Sequence, residues 1–401
     1  MLRPLLAFLC FGSIVAAEDW SQWRGPDRDG HSAETGLADE WPVSGPALLW
    51  ESEAIGEGYS SFASSNGKLF TQGQKDGRQY VIALDAATGW LAWETANGDT
   101  YADRRGGGPR GTPTLDGNRV YALSSSGNLI SLDADDGTKF WEVNLLREYK
   151  GRNIRWGFSE SPLIDGDRVI VSPGGSGAGV VALRKTNGSM IWKSESDEAG
   201  YSSAVVAEVD DVRMYVVLTG DAAIGLKTDT GELLWRYGNV ANGTANVATP
   251  IVRGNYVFVS SDYGTGCALL KLSSSGGGIQ AEEIYFSRDM RNHYSSSVLV
   301  GDYLYGFSSR IFTAMNFMTG EVGWRDRSVG KGQVIVADGR LYLQGEDGVV
   351  GLVHPDPGEY KEISRFEIGR GNHPTWTLPV IADGRLYVRD QELLRCYDIS
   401  K

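Results

Sequence analysis

Leu84-Asp85-Ala86-Ala87-Thr88-Gly89, followed by Trp93, is the stretch on which the fold turns. It recurs as Leu132-Asp133-Ala134-Asp135-Asp136-Gly137 before Trp141, as residues 183–188 before Trp192, and as residues 226–231 before Trp235. Looser copies lead to Tyr285, Trp324 and Phe366. The Asp side chain can bond the backbone two residues on, and Gly supplies the positive φ that a hairpin exit requires. Each copy therefore reads as strand, tight turn, strand. A second turn precedes it, as in Asp116-Gly117-Asn118, Asp165-Gly166-Asp167, Asp338-Gly339 and Asp383-Gly384, and opens onto alternating runs such as Arg119-Val120-Tyr121. Two hairpins per repeat give four antiparallel strands, A to D. At this period such a unit is one propeller blade.

The aromatic of strand D counts the blades. The marks are Trp50, Trp93, Trp141, Trp192, Trp235, Tyr285, Trp324 and Phe366, spaced by 39 to 51 residues. Trp50 has no repeat before it, while Arg395-Cys396-Tyr397-Asp398 is a strand C with no strand D after it. Pairing residues 47–51 with that orphan closes a ring and leaves no open sheet ends. The expected fold is all-β: a single eight-bladed β-propeller over residues 46–401, closed by an N-terminal strand and preceded by a strap over residues 18–45. Burying these Trp residues between blades is worth about 3–5 kcal/mol each, judged from Trp-to-Ala changes in cores. Small residues (Ala83, Ser131, Ala182, Gly225, Ala314) recur just before the strand-C Leu or Met, and Cys396 shares their phase, which assigns it to packing.

Composition agrees and excludes several classes. Among 401 residues, 22% are charged and 41% apolar, the balance of a chain that builds a core. The 53 Gly residues lack a G-X-Y period, so collagen is excluded and turns account for them. A net charge of −13 argues against nucleic acid and anionic membrane surfaces as partners. Length alone suggests two or three domains, but the repeat replaces them with one ring. At the N-terminus, Arg3, an apolar run over residues 5–15 and Val15-Ala16-Ala17 read as a secretory signal peptide, residues 1–17, cut after Ala17. The run falls short of the ~20 residues a membrane helix needs, so no transmembrane segment is expected. The expected location is periplasmic or extracellular. Cys10 lies mid-run behind the bulky Leu9, unlike a lipidation site. Cys267 and Cys396 fall in blades five and eight and are expected to stay apart as buried thiols.

The recurring strand C, turn and strand D ending in Trp resembles the PQQ-like β-propeller repeat family over essentially the whole chain after residue 17. That family includes the outer-membrane assembly lipoprotein BamB and the quinoprotein alcohol dehydrogenases, both eight-bladed. The resemblance implies that each strand-D Trp docks its blade onto the next. Trp20-Ser21-Gln22-Trp23-Arg24-Gly25-Pro26 with Asp29-Gly30 also resembles the opening of secreted bacterial propellers of this type. The chain departs from BamB in lacking a lipobox cysteine, and from the dehydrogenases in lacking their adjacent Cys-Cys pair.

In a propeller the connections from strand D to the next strand A converge on the central channel. Here they include residues 57–60, 103–112, 155–160, 200–202, 246–249, 291–294, 330–333 and 372–376. The most distinctive is Arg104-Arg105-Gly106-Gly107-Gly108-Pro109-Arg110. Its guanidiniums suit bidentate recognition of carboxylates, and the bland alternative is a solvated, flexible loop. The resemblance to the dehydrogenases implies a second set: Glu160 and Asn246 as calcium ligands, then Asp289 or Asn292, with Asp289 as base and Asn292 as a cofactor contact. Arg110 and His293 would then face the cofactor, and Trp156 or Trp376 would supply its platform. Hard oxygen donors of this kind suit Ca²⁺. The four His residues show no metal spacing, and no Gly-x-Ser-x-Gly nucleophile setting occurs. Two readings result. The first is an exported, non-catalytic, monomeric module without cofactor that binds an envelope protein, peptide or glycan through one face. The alternative is a PQQ- and calcium-dependent oxidoreductase acting on alcohols or sugars.

Overall fold

The computed structural model describes residues 19–276, 278–369 and 371–401. The expected signal peptide, with cleavage after Ala17, lies outside the described residues. Within them the chain forms eight four-stranded antiparallel sheets and one short helix, Leu145–Glu148. Blades one to seven follow the chain, their first strands being Ala63–Ser65, Thr114–Asp116, Leu163–Asp165, Val205–Val209, Ile251–Arg253, Val298–Val300 and Gly332–Ala337. Blade eight takes Val380–Ala382, Arg385–Asp390 and Leu393–Asp398 from the C-terminal end and Ala47–Ser52 from the N-terminal end. Trp50 pairs with Cys396 across that seam, so the first strand of the ring closes the last sheet.

The sequence pattern has a direct packing cause. In six blades the small residue of strand C lies opposite the strand-D indole: Ala83 to Trp93, Ser131 to Trp141, Ala182 to Trp192, Gly225 to Trp235, Ala314 to Trp324 and Cys396 to Trp50. A β-bulge adjoins each of these pairs and turns the strand toward its neighbour. The indole then reaches the next blade. Trp50 Nε1 donates to Ala86 O at 3.3 Å, Trp93 to Ala134 O at 3.1 Å, Trp141 to Lys185 O at 2.9 Å, and Trp192 to Thr228 O at 2.9 Å. Tyr285 Oη makes the same bond to Phe317 O at 3.0 Å. Each accepting carbonyl sits in the C–D turn of the following blade, and the turn glycine lies flat under the ring. Gly137, at φ +74°, would place a Cβ 2.6 Å from the Trp93 ring. Trp235 differs and donates within its own blade to Met214 Sδ at 3.2 Å, because the next hairpin, Gly266–Ser275 with Gly278–Ser287, is long and lacks the Thr-Gly turn.

The N-terminal segment is more than a strap along the edge. It crosses the channel and bonds the inner strands of every blade in turn. Trp20 O accepts from Ser64 N, and Ser21 O from Leu115 N. The Arg28 guanidinium donates to Ser161 O, Pro162 O and Ala204 O, spanning blades three and four. Trp23 Nε1 donates to Thr249 Oγ1 at 2.9 Å, and Arg24 Nη2 to Ser297 O at 2.7 Å. Val336 exchanges bonds with Gly30 and Ser32, and Ser32 Oγ reaches Ile381 O. Arg24 and Arg28 are buried, and burial lowers them to about 10 and about 9, still cationic at neutral pH. A third buried arginine, Arg389 of blade eight, donates to Ser60 O, Gln72 O and Gly56 O of blade one and its approach, clamping the seam. Cys267 and Cys396 are both buried and free, with burial pushing each thiol up to about 12.

Candidate functional site

Six residues before the end of each strand A, the chain places one side chain at the channel mouth. The eight are Tyr59, Arg110, Ser159, Ser203, Val247, Tyr294, Lys331 and Trp376. All but Lys331 line an open-mouthed space of about 580 Å³, solvent at the mouth included, whose floor is Trp23 of the crossing segment. The ring is lopsided. Blades six, seven, eight, one and two contribute Tyr294, Lys331, Trp376, Tyr59 and Arg110, an arc in which aromatic and cation interleave. Trp376 lies 5.3 Å from both Tyr59 and Tyr294, centroid to centroid. The Lys331 ammonium sits 5.1 Å from the Tyr294 ring and 5.9 Å from that of Trp376, and the Arg110 guanidinium 4.9 Å from Tyr59. Blades three, four and five contribute only Ser159, Ser203 and Val247, and open space faces the arc.

A second tier widens this space outward. Arg105, Trp156, Tyr201, Tyr263 and His293 line an adjoining space of about 550 Å³ that is open to solvent. Four tyrosine hydroxyls in and beside the two tiers are already engaged. Tyr59 donates to Arg105 O, Tyr101 to Arg155 O at 2.8 Å, and Tyr294 to Lys331 O at 3.2 Å, while Tyr201 accepts from Trp156 N at 3.2 Å. Each bond fixes a loop that carries a cation, and leaves π faces as the exposed surface. Arg110 donates only to Trp156 O and Gly106 O, and among the described residues no carboxylate forms an ion pair with it. Burial is the main cause lowering its pKa. His293 is pushed down to about 4, first by burial and then by Lys331, so it is neutral at physiological pH.

The glycine-rich loop is packed, not solvated. Gly107 N donates to Glu57 Oε1 at 2.6 Å, and a Cβ on Gly108 would lie 2.3 Å from Glu57 O. That close approach is why glycine stands there, and it turns Arg110 inward while Arg104 and Arg105 stay exposed.

The residues assigned to calcium and quinone are not brought together. Glu160 is buried, and its Oε1 accepts from Ser172 N at 2.6 Å. Burial raises its pKa to about 7 against the nearby Arg28. The Asn246 amide is spent on backbone, with Oδ1 accepting from Asn242 in its own loop and Nδ2 donating to Thr219 O and Gly220 O in the turn between strands B and C of blade four. Asn292 bonds Ser297 Oγ and Phe307 O. Asp289 is half-exposed and paired with Arg325 at 2.6 Å. Among the described residues no cluster of three His, Cys, Asp or Glu side chains suits a metal ion. This set does not fit a calcium–quinone centre. Trp156, Trp376, Arg110 and His293 do meet, at the funnel. Sequence reasoning missed Trp23 as floor, and also Ser203, Tyr101 and Tyr263. Tyr263 lies in the turn between strands B and C of blade five, and such turns open on the same face as the D–A connections.

With this geometry in place, comparisons with known proteins agree on lineage. The family model described as outer membrane protein assembly factor BamB matches residues 44–155 and 78–326. The outer membrane protein assembly factor BamB of Salmonella typhimurium is 26% identical over 297 residues, covering 70% of this chain and 71% of that protein. Its counterpart from Yersinia pestis is 23% identical over 313 residues, covering 74% and 73%. The crystal structure of BamB from Moraxella catarrhalis superposes with a TM-score of 0.62 at 18% identity, over 88% of this chain and 99% of that one. Quinohemoprotein alcohol dehydrogenase from Comamonas testosteroni reaches 0.65 at 12% identity, over 96% and 81%, and at that identity shares the fold alone. No helix among the described residues is long and apolar enough to cross a membrane. The chain, a closed eight-bladed ring of PQQ-like repeats, belongs to the family of outer membrane protein assembly factor BamB.

Proposed function

We propose that this protein is an exported, non-catalytic scaffold of the bacterial cell envelope that binds an outer-membrane assembly protein through the open face of its ring. The observation that carries this reading is the funnel itself. Four of its tyrosine hydroxyls are committed to holding loops, its floor is Trp23, and what it offers outward is mostly π faces and cations. That surface suits recognition, and His293, the imidazole on it, is hydrogen-bonded to no nucleophile among the described residues. The BamB relatives are named as outer membrane protein assembly factors, which supports a place in envelope assembly. On this reading the leader is removed after Ala17, and residues 18–45 order the channel of the ring formed by residues 46–401. The indole bonds act as docking points between blades, and the ring works as a monomer without cofactor.

The test is reconstitution of the purified protein with PQQ and calcium, followed by absorbance and dye-reduction assays across alcohols and sugars. The expected result is no retained quinone and no dye reduction. Turnover of a defined alcohol would overturn the proposal.

A further inference from the structure

The funnel has a chemistry specific enough to name its ligand class, and the inference rests on the scaffold reading above. Three observations bear on it. First, the arc interleaves Tyr294, Lys331, Trp376, Tyr59 and Arg110, so every cation has an aromatic beside it. Second, the opposite side carries Ser159, Ser203 and Val247, which leaves space against that arc for a flat side chain. Third, the cations come from different connections: Arg105 and Arg110 before blade two, Arg155 before blade three and Lys331 before blade seven. Among the described residues Arg105, Arg110 and Arg155 have no ion-pair partner, and Lys331 has only Glu346 at 3.8 Å.

A ligand with many hydroxyls finds few partners here: the Tyr59, Tyr201 and Tyr294 hydroxyls are bonded to the backbone, and the Ser159 and Ser203 hydroxyls are engaged. Among the described residues Gln333 Oε1 and His293 Nδ1 are the unpartnered acceptors, on a wall otherwise made largely of Ala245, Val247, cations and ring faces. Unbonded hydroxyls carried into such a site would lose their water. A single small acid would engage one cation and leave those on other connections unused. A chain segment with an aromatic residue flanked by carboxylates matches all three observations. The aromatic enters the space beside Val247 and stacks on the arc, and the carboxylates fan outward to Arg110, Lys331 and the rim arginines. In a chain of net charge −13 this mouth is a local exception, so it selects acidic segments that the rest of the surface repels.

We propose that the central funnel is a peptide site that takes an aromatic side chain flanked by acidic residues from a partner protein. The experiment is fluorescence titration of the full mature chain with a short blocked peptide carrying tryptophan between glutamates. The comparison probes are the same peptide with glutamines, the same peptide with alanine for tryptophan, and an oligo-galacturonate. The acidic aromatic peptide is expected to saturate and to weaken with added salt. Each comparison peptide should bind roughly tenfold or more weakly, as expected for lost charge-assisted bonds or stacking. Val247→Trp, which fills the space, should abolish binding, and Lys331→Gln should weaken it while leaving the unfolding midpoint unchanged. Equal binding of the glutamine peptide, unchanged binding by a folded Val247→Trp protein, or binding of the oligo-galacturonate in place of the peptide would each overturn the proposal. Failure here would leave the scaffold reading standing if an envelope protein still crosslinks to the outer edges of the blades. Absence of any envelope partner would sink the scaffold reading while peptide binding survived.

Discussion

Trp141 fills the gap left by Ser131 across its own sheet and donates its indole N–H to Lys185 O of the next blade. These contributions can be separated. Trp141→Phe keeps most of the apolar burial and loses the bond, so it should cost about 1–2 kcal/mol in denaturant unfolding. Trp141→Ala should cost about 3–5 kcal/mol. Gly137→Ala should destabilise by roughly 1–3 kcal/mol, since the residue sits at φ +74° with its new Cβ against Trp93. The thiols offer a second test at this scale. Both are buried with pKa near 12, so a thiol reagent at neutral pH should leave Cys267 and Cys396 unlabelled in the native state and label both after unfolding. The small residue opposite each Trp was legible in the sequence because it recurs at a fixed phase. The bonds that consume the tyrosine hydroxyls were not, because each joins residues of different loops, as Tyr101 joins Arg155.

The crossing segment over residues 19–38 is the element whose role the sequence understated. Its arginines satisfy backbone carbonyls that the channel would otherwise leave buried and unpaired. Arg28→Met removes three such bonds and should cost roughly 3 kcal/mol or more in unfolding experiments. Glu160, which shares this hub, gives a pH signature. Its pKa is raised from 4.5 to about 7 in the fold, so the folded state holds its proton while the unfolded chain gives it up. Its contribution is fully present below about 4.5 and is lost as pH rises to about 7. Glu160→Gln keeps the acceptor for Ser172 N and should abolish that part of the slope, worth at most roughly 3 kcal/mol between those limits. Paired unfolding titrations of the two proteins check this, and an unchanged slope would place the titration elsewhere. The order Glu160, Asn246, Asp289 looked like a site because linear order carries no radial information. In the ring the first faces the hub, the second ties its loop to the neighbouring turn of blade four and the third lies outside, paired with Arg325.

At the scale of the molecule, closure is the decisive feature. It was legible because a strand C without a strand D at one end matched an unclaimed strand at the other. Trp50 is far from blade eight in sequence but is its fourth-strand aromatic, so Trp50→Ala should destabilise about as much as Trp141→Ala and should expose Cys396 to reagent before Cys267. An open ring would show neither effect. The funnel was only partly legible. Seven of its eight mouth residues fell in connections that the repeat already marked, but Ser203 lies one residue past the segment 200–202 marked for its connection. Tyr263 came from a turn that the D–A rule ignores. What the ring presents at that mouth is the centre of the functional account. Its most direct test is site-specific photo-crosslinking in growing cells from position 263 at the mouth, compared with position 90, whose Trp is exposed at the ring's outer edge. The account predicts a discrete adduct with an outer-membrane assembly protein from position 263, lost when Val247→Trp fills the funnel. An adduct formed only from position 90, or one indifferent to Val247→Trp, would contradict it.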